Sequence, residues 1–213
     1  MTICYIYGMK ASRLEALADG IFAIVMTIIV FQIKPPVLMD PTNSYELAMS
    51  IGTMVPIFLS YLLSFSLLFT YWRAHHFFVS VYAKNIDMNL TNLNAIFFLF
   101  IGLVPFSTTL LGEYSNNQLS IIIFGIHTMI IGVCLFFIRS YVLNSEHIKN
   151  IEVSKQEIRR GTVRIFVPVF FAFIAILLSF VNKYLSLSLF TLAVLFNFSQ
   201  ASTILISIFV RDL

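Results

Sequence analysis

Six long apolar runs, separated by short polar connections, dominate the chain: Leu17 to Ile33, Ile51 to Tyr71, Leu93 to Leu111, Leu119 to Ile138, Ile165 to Val181 and Leu185 to Val210. Each approaches the ~20 residues that an α-helix needs to cross a bilayer, so the pattern predicts an all-α integral membrane protein with six transmembrane helices. Lys34-Pro35-Pro36 closes the first run, because proline lacks an amide donor and disfavours helix in the residue before it. Pro56, Pro105 and Pro168 fall inside runs and predict kinks whose freed carbonyls neighbouring helices must satisfy. The longest connection, Asn144 to Thr162, contains Ser154 and Glu157 at the spacing of a capping box, which predicts a helix leading into the fifth span. There is no internal duplication and no low-complexity tract, so residues 1–213 read as a single membrane domain. A symmetric pore would have to form by association of several copies.

Charge gives the spans an orientation. Eleven of the 13 Lys and Arg residues fall on one side of the alternating spans, leaving Lys34 and Lys183 opposite, and the positive-inside rule then puts both termini in the cytoplasm. The net charge of +3 therefore reflects topology, and nucleic acid is excluded as a partner. Composition agrees: 59% of residues are hydrophobic and 11% charged, against roughly 45–50% apolar in soluble domains. The N-terminus lacks a signal-peptide cleavage pattern, so the first run is expected to remain as a span. Cys4 and Cys134 lie in separate regions and indicate neither a disulfide framework nor a thiolate metal site.

Candidate chemistry concentrates on the first span. Arg13, Glu15 and Asp19 crowd its cytoplasmic end, and a carboxylate in an apolar run costs up to about 2.5–3.5 kcal/mol on insertion scales. Asp19 is thus either an interfacial anchor or a member of a polar network joining helices. Its candidate partners are Trp72 and His75, three apart on one helix face at the same side of the membrane. The adjacent His75 and His76 point in different directions with no carboxylate or cysteine at ligand spacing, so no metal is expected. His127, alone in the fourth span, reads as a hydrogen-bonded packing residue. Helical periodicity puts Gly20, Ile24, Thr27, Ile28 and Phe31 on one stripe, with Asp19 off it. Against lipid or another helix the stripe is ordinary; around a symmetry axis it would line a pore narrowed by branched side chains, with a hydroxyl ring beside the constriction. Phosphate loops, nucleophile elbows, metalloprotease helices and the potassium-filter sequence of pore-loop channels are missing, so neither an enzyme nor a cofactor is expected. A passive channel leads, with a secondary ion or small-solute transporter as the alternative.

Arg13, Asp19 and Thr27, with Ala23-Ile24 between them, resemble the signature of the transmembrane protein 175 family, in which an arginine and Phe-Ser-Asp precede a threonine eight residues after the aspartate. Leu17 and Ala18 stand where that signature has phenylalanine and serine. Trp72-x-x-His75 and Leu103-Val104-Pro105-Phe106-Ser107-Thr108 are similar to further family features. The resemblance implies a prokaryotic potassium-permeable channel in the plasma membrane, passing potassium and open to other monovalent cations, built as a homotetramer with the first helix around the pore. It implies Ile24 as hydrophobic constriction, Thr27 as hydroxyl layer, and Ile28 and Phe31 as further pore-lining positions. Arg13, Asp19, Trp72 and His75 would form the polar network that holds this helix.

Overall fold

The computed structural model describes residues 11–150 and 153–198. They form eight α-helices: α1 (Ala11–Ile28), α2 (Ser44–Thr53), α3 (Val55–His76), α4 (Met88–Gly102), α5 (Val104–Glu113), α6 (Gln118–Asn144), α7 (Lys155–Ser179) and α8 (Lys183–Phe198). A 3-10 turn, Ile29–Gln32, ends α1, and a π-helical turn, Phe77–Val81, ends α3. Among the described residues, extended pairing is confined to one isolated bridge between Ala83 and Lys149.

Side-chain caps set several helix starts. Asn43 accepts from the Tyr45 and Glu46 amides, Asp87 from Leu90, and Asn117 from Leu119, each satisfying an otherwise orphaned N–H. Ser154 and Glu157 form the reciprocal capping box expected at the start of α7.

Among the described residues, five stretches are long and apolar enough to cross a membrane: Ser12–Gln32, Val55–Val81, Met88–Glu113, Gln118–Asn144 and Lys155–Ser179. The shortest, at 21 residues, is about 31 Å long at the α-helical rise, the thickness of a hydrocarbon core. The sixth expected run begins in α8, and its residues 199–210 lie outside the described ones.

Two of the three predicted kinks are helix starts instead. Pro56 lies in the first turn of α3, which begins at Val55 because residues 51–53 belong to α2. Pro105 likewise opens α5, so the third run is two helices meeting at Leu103. Proline suits a first turn because its missing N–H would have had no intrahelical acceptor there. Pro168 alone of the three sits inside a helix, α7.

Connections gather at two ends. At one, the α3–α4 and α6–α7 loops pair through Lys84 N–H to Ile148 carbonyl (2.7 Å) and Asn150 N–H to Tyr82 carbonyl (2.8 Å). At the other, Lys183 Nζ donates to the Asn116 carbonyl (2.8 Å), joining the α7–α8 and α5–α6 connections. Alternating spans require this division. Between the ends, α6 packs closely on α7, and α3 packs on α5 and α8. A Cβ at Gly125 would lie 2.6 Å from Ile176 Cγ1, and one at Gly132 would collide with Val169 Cγ2, so glycine lets these two backbones approach.

Candidate pore-lining helix and its polar anchors

Helix α1 sits at the edge of the bundle, packed on α3 and α4. Leu14, Ala18, Phe22, Val25 and Ile29 recur at helical spacing and are all buried. Phe22 fixes the rotation: its ring lies 6.0 Å from Phe97 and 6.3 Å from His75, inside an aromatic cluster of α3 and α4. The opposite face, with Ile24 57%, Ile28 43% and Phe31 75% exposed, points away from the chain's own core. Thr27 is exposed on that face, and its hydroxyl is within 2.9 Å of the Ala23 carbonyl and 2.8 Å of the Ile24 carbonyl. The proton is directed back into the helix, leaving oxygen lone pairs outward.

Asp19 and Trp72 meet directly, the indole Nε1–H donating to Asp19 Oδ1 at 2.8 Å. His75 takes a different partner. Its Nε2 lies 2.6 Å from Oδ1 of Asn94, whose amide nitrogen donates to the Leu90 carbonyl at 2.7 Å, so Nε2 carries the proton. The ring stacks on Phe97 at 5.3 Å with a 2° interplanar angle, fully buried. Arg13 is exposed and makes no hydrogen bond or ion pair among the described residues. The four residues therefore divide: one bond ties α1 to α3, another ties α3 to α4, and Arg13 joins neither.

The far end of α1 has an anchor that sequence reasoning missed. Gln32 Nε2 donates to the Pro105 carbonyl at 2.7 Å, tying the 3-10 turn to the start of α5. The α4–α5 break is also held by His127, whose Nε2–H donates to the Phe100 carbonyl (2.9 Å) while Nδ1 faces the Ser107 hydroxyl (2.8 Å). His127 is thus the packing residue expected. The amide of Asn94, at the start of an apolar run, was the available signal for the His75 partner, since an unpaired amide buried there is costly. At the loop end, Asp87 accepts from Tyr141 (2.6 Å) and His147 (3.2 Å). Burial works against its charge, but the hydrogen bonds from Tyr141, Leu90 and His147 outweigh it and hold the carboxyl below its ordinary range.

Comparison with known proteins places this arrangement. Residues 13–105, which carry α1, the Asp19–Trp72 bond, the His75 cluster and the α4–α5 break, match the family model described as endosomal/lysosomal potassium channel TMEM175. Through these residues the chain is similar to the TMEM175 family. That family is one of ion channels and not of enzymes. A potassium channel of Streptomyces collinus is 30% identical over 109 residues, 51% of each chain. One of a Chryseobacterium species is 28% identical over 189 residues, 88% of this chain and 92% of its own. The match to a Chamaesiphon minutus potassium channel again spans 51% of that protein, so the chain spans about half the length of the first two. The crystal structure of a Chamaesiphon minutus homolog of the lysosomal potassium-selective channel TMEM175 superposes with a TM-score of 0.73 at 24% identity, covering 88% of this chain and 95% of that one. The TMEM175 fold is thereby shared.

The Asp19–Trp72 bond makes one prediction. Asp19→Ala removes the acceptor of the indole N–H; the bond is exposed, so its loss costs about 0.5–1.5 kcal/mol, and it should lower the amount of assembled protein while leaving ion preference unchanged. Trp72→Phe should do the same, and the double variant should lose little more, as expected for one shared interaction. Quantitative size-exclusion chromatography with reversal potentials on the surviving protein checks this. Normal assembly with lost ion preference in Asp19→Ala would place Asp19 in the permeation path instead.

Proposed function

We propose that the chain is a potassium-permeable cation channel that conducts passively through a central pore lined by α1. The observation that carries this reading is the division of α1 into a buried face and an outward face holding Ile24, Thr27, Ile28 and Phe31. One chain offers too few candidate helices to surround a path with that face, so the reading requires several copies, a homotetramer. Residues 1–213 form one six-helix domain with both termini cytoplasmic, in the plasma membrane.

In this assembly the Ile24 ring is the hydrophobic constriction, where a narrow branched apolar ring resists wetting. Thr27 lies one turn further along, and its outward lone pairs replace part of the hydration of an ion that has shed water. Ile28 and Phe31 continue the wall. Trp72 and Asp19 hold one end of the helix, Gln32 the other, and Phe22 its rotation, with His75 supporting Phe22 from behind and Arg13 at the cytoplasmic mouth.

The relatives' names support potassium but divide. The Streptomyces and Chryseobacterium proteins are potassium channels, whereas a Mus musculus protein, 32% identical over 103 residues and matched over 20% of its length, is named an endosomal/lysosomal proton channel. Purified protein in liposomes should give rapid potassium flux without a coupling gradient, and bi-ionic recordings should place potassium ahead of sodium. Thr27→Val, which keeps shape and removes the oxygen, should shift the reversal potential toward equal potassium and sodium permeability with folding intact. An unshifted potential would remove Thr27 from the selectivity layer. The α4–α5 break is the observation that favours a secondary transporter, since transporters build substrate sites at interrupted helices. Strict exchange stoichiometry in the same liposomes would establish that alternative.

A further inference from the structure

Three arginines come together where α7 meets the end of α3. Arg160 and Arg164 are four residues apart on α7 and share a face. Between them, Gly161 packs so closely on the π-helical turn that a Cβ would lie 2.8 Å from Phe77 Cδ1 and 3.0 Å from Phe78 Cζ. Arg73 is one turn before Phe77 on α3, and both Arg73 and Arg160 lie within electrostatic range of Arg164. Like charges brought together repel. Among the described residues none of the three has an ion-pair partner, and Arg160 Nε is buried without a hydrogen bond.

Two acids on the helices that carry or adjoin these arginines are otherwise engaged. Glu157 is bonded to Ser154 and Asp19 to Trp72, while Arg139 on α6 donates its Nε–H to Thr162 Oγ1 at 2.6 Å. Arg164 is also the last charged residue before the apolar stretch of α7. A buried guanidinium N–H left unmade is costly, and a guanidinium matches phosphate oxygens in geometry as well as charge.

We propose that Arg73, Arg160 and Arg164 form a binding site for a phosphate-bearing anion at this membrane boundary. The ligand's shared chemistry is a phosphate group with exposed anionic oxygens, carried by a phospholipid headgroup or by a soluble phosphate. The proposal is independent of conduction, because nothing in it involves the outward face of α1.

Native mass spectrometry of the full chain, after exposure to equal phosphatidylglycerol and phosphatidylcholine, tests the lipid source. Phosphatidylglycerol should be retained preferentially, and Arg73→Gln, Arg160→Gln and Arg164→Gln should each cut its retention about fivefold. Lys183→Gln, at the opposite end, should leave it unchanged. Inorganic pyrophosphate, titrated at constant ionic strength into protein in phosphatidylcholine nanodiscs, tests the soluble source: a rise in Tm that Arg160→Gln abolishes assigns the site to a soluble phosphate. Either positive arm supports the site. Equal retention of both lipids together with no pyrophosphate response overturns it, as do responses identical in wild type and all three variants. Loss of the oligomer in these variants without a change in lipid retention also overturns it, by showing that a neighbouring copy neutralises the arginines. If Arg160→Gln does not fold, the exposed Arg73→Gln and the wild-type lipid preference still decide.

Discussion

Ile24→Asn should raise single-channel conductance several-fold and weaken discrimination among monovalent cations. The side chain is more than half exposed in the single chain, so the change removes little of the chain's own packing. If four copies bring it to an axis, a ring of branched hydrocarbon that resists wetting becomes a ring of amides that holds water. The informative comparison is Phe170→Asn on α7, also well exposed and on a helix distant from α1 in the packing order. On a lipid face asparagine burdens insertion, so Phe170→Asn should lower yield and leave conductance unchanged. Val25 is unsuited as a neutral reference because it is only 6% exposed, in the core between α1 and its neighbours. Equal conductance in wild type and Ile24→Asn would remove the constriction from Ile24.

Gly132→Leu should abolish the folded protein. A side chain there meets Val169, whose branched Cβ gives it little freedom to move aside. Ala172 and Ala175 are fully buried in α7, so the small-residue contact continues along this helix. Overpacking a well-filled interior costs about 1–3 kcal/mol, and here the helices must separate along a contact where small residues set the spacing. Gly20→Leu is the contrast, because a Cβ there meets nothing within 4 Å in the single chain. Gly20→Leu should yield folded subunits, whereas Gly132→Leu should give little monodisperse protein by fluorescence-detected size-exclusion chromatography. Normal yield from Gly132→Leu would contradict the close α6–α7 approach.

Five of the spans were legible because hydrocarbon length is a demand that composition answers directly, and the Ser154–Glu157 cap because both partners are local. The proline roles were not. Sequence marks Pro105 as a disruption, but whether the helix bends or restarts depends on which groups satisfy the local backbone. Gln32, 73 residues away, and His127 supply hydrogen bonds there. The two faces of α1 were readable from periodicity, while the inward choice depended on Phe22 entering a cluster built from α3 and α4. Trp72 and His75 share a face broadly enough to be grouped, yet the three-residue step turns one toward α1 and the other toward Asn94 on α4. The arginine cluster was hidden for the same reason, since Arg73 comes within electrostatic range of Arg164 where Gly161 packs on Phe77.

Thiol block at position 27 tests the central claim most directly. With Cys4 and Cys134 replaced by alanine, Thr27→Cys channels in planar bilayers would be exposed to a bulky, positively charged methanethiosulfonate while potassium current is recorded. If α1 lines the path, current should fall irreversibly, internal potassium should slow the modification, and Phe170→Cys on the outer face of α7 should be insensitive. Complete modification of Thr27→Cys, verified by mass spectrometry, with current undiminished would contradict a pore lined by α1.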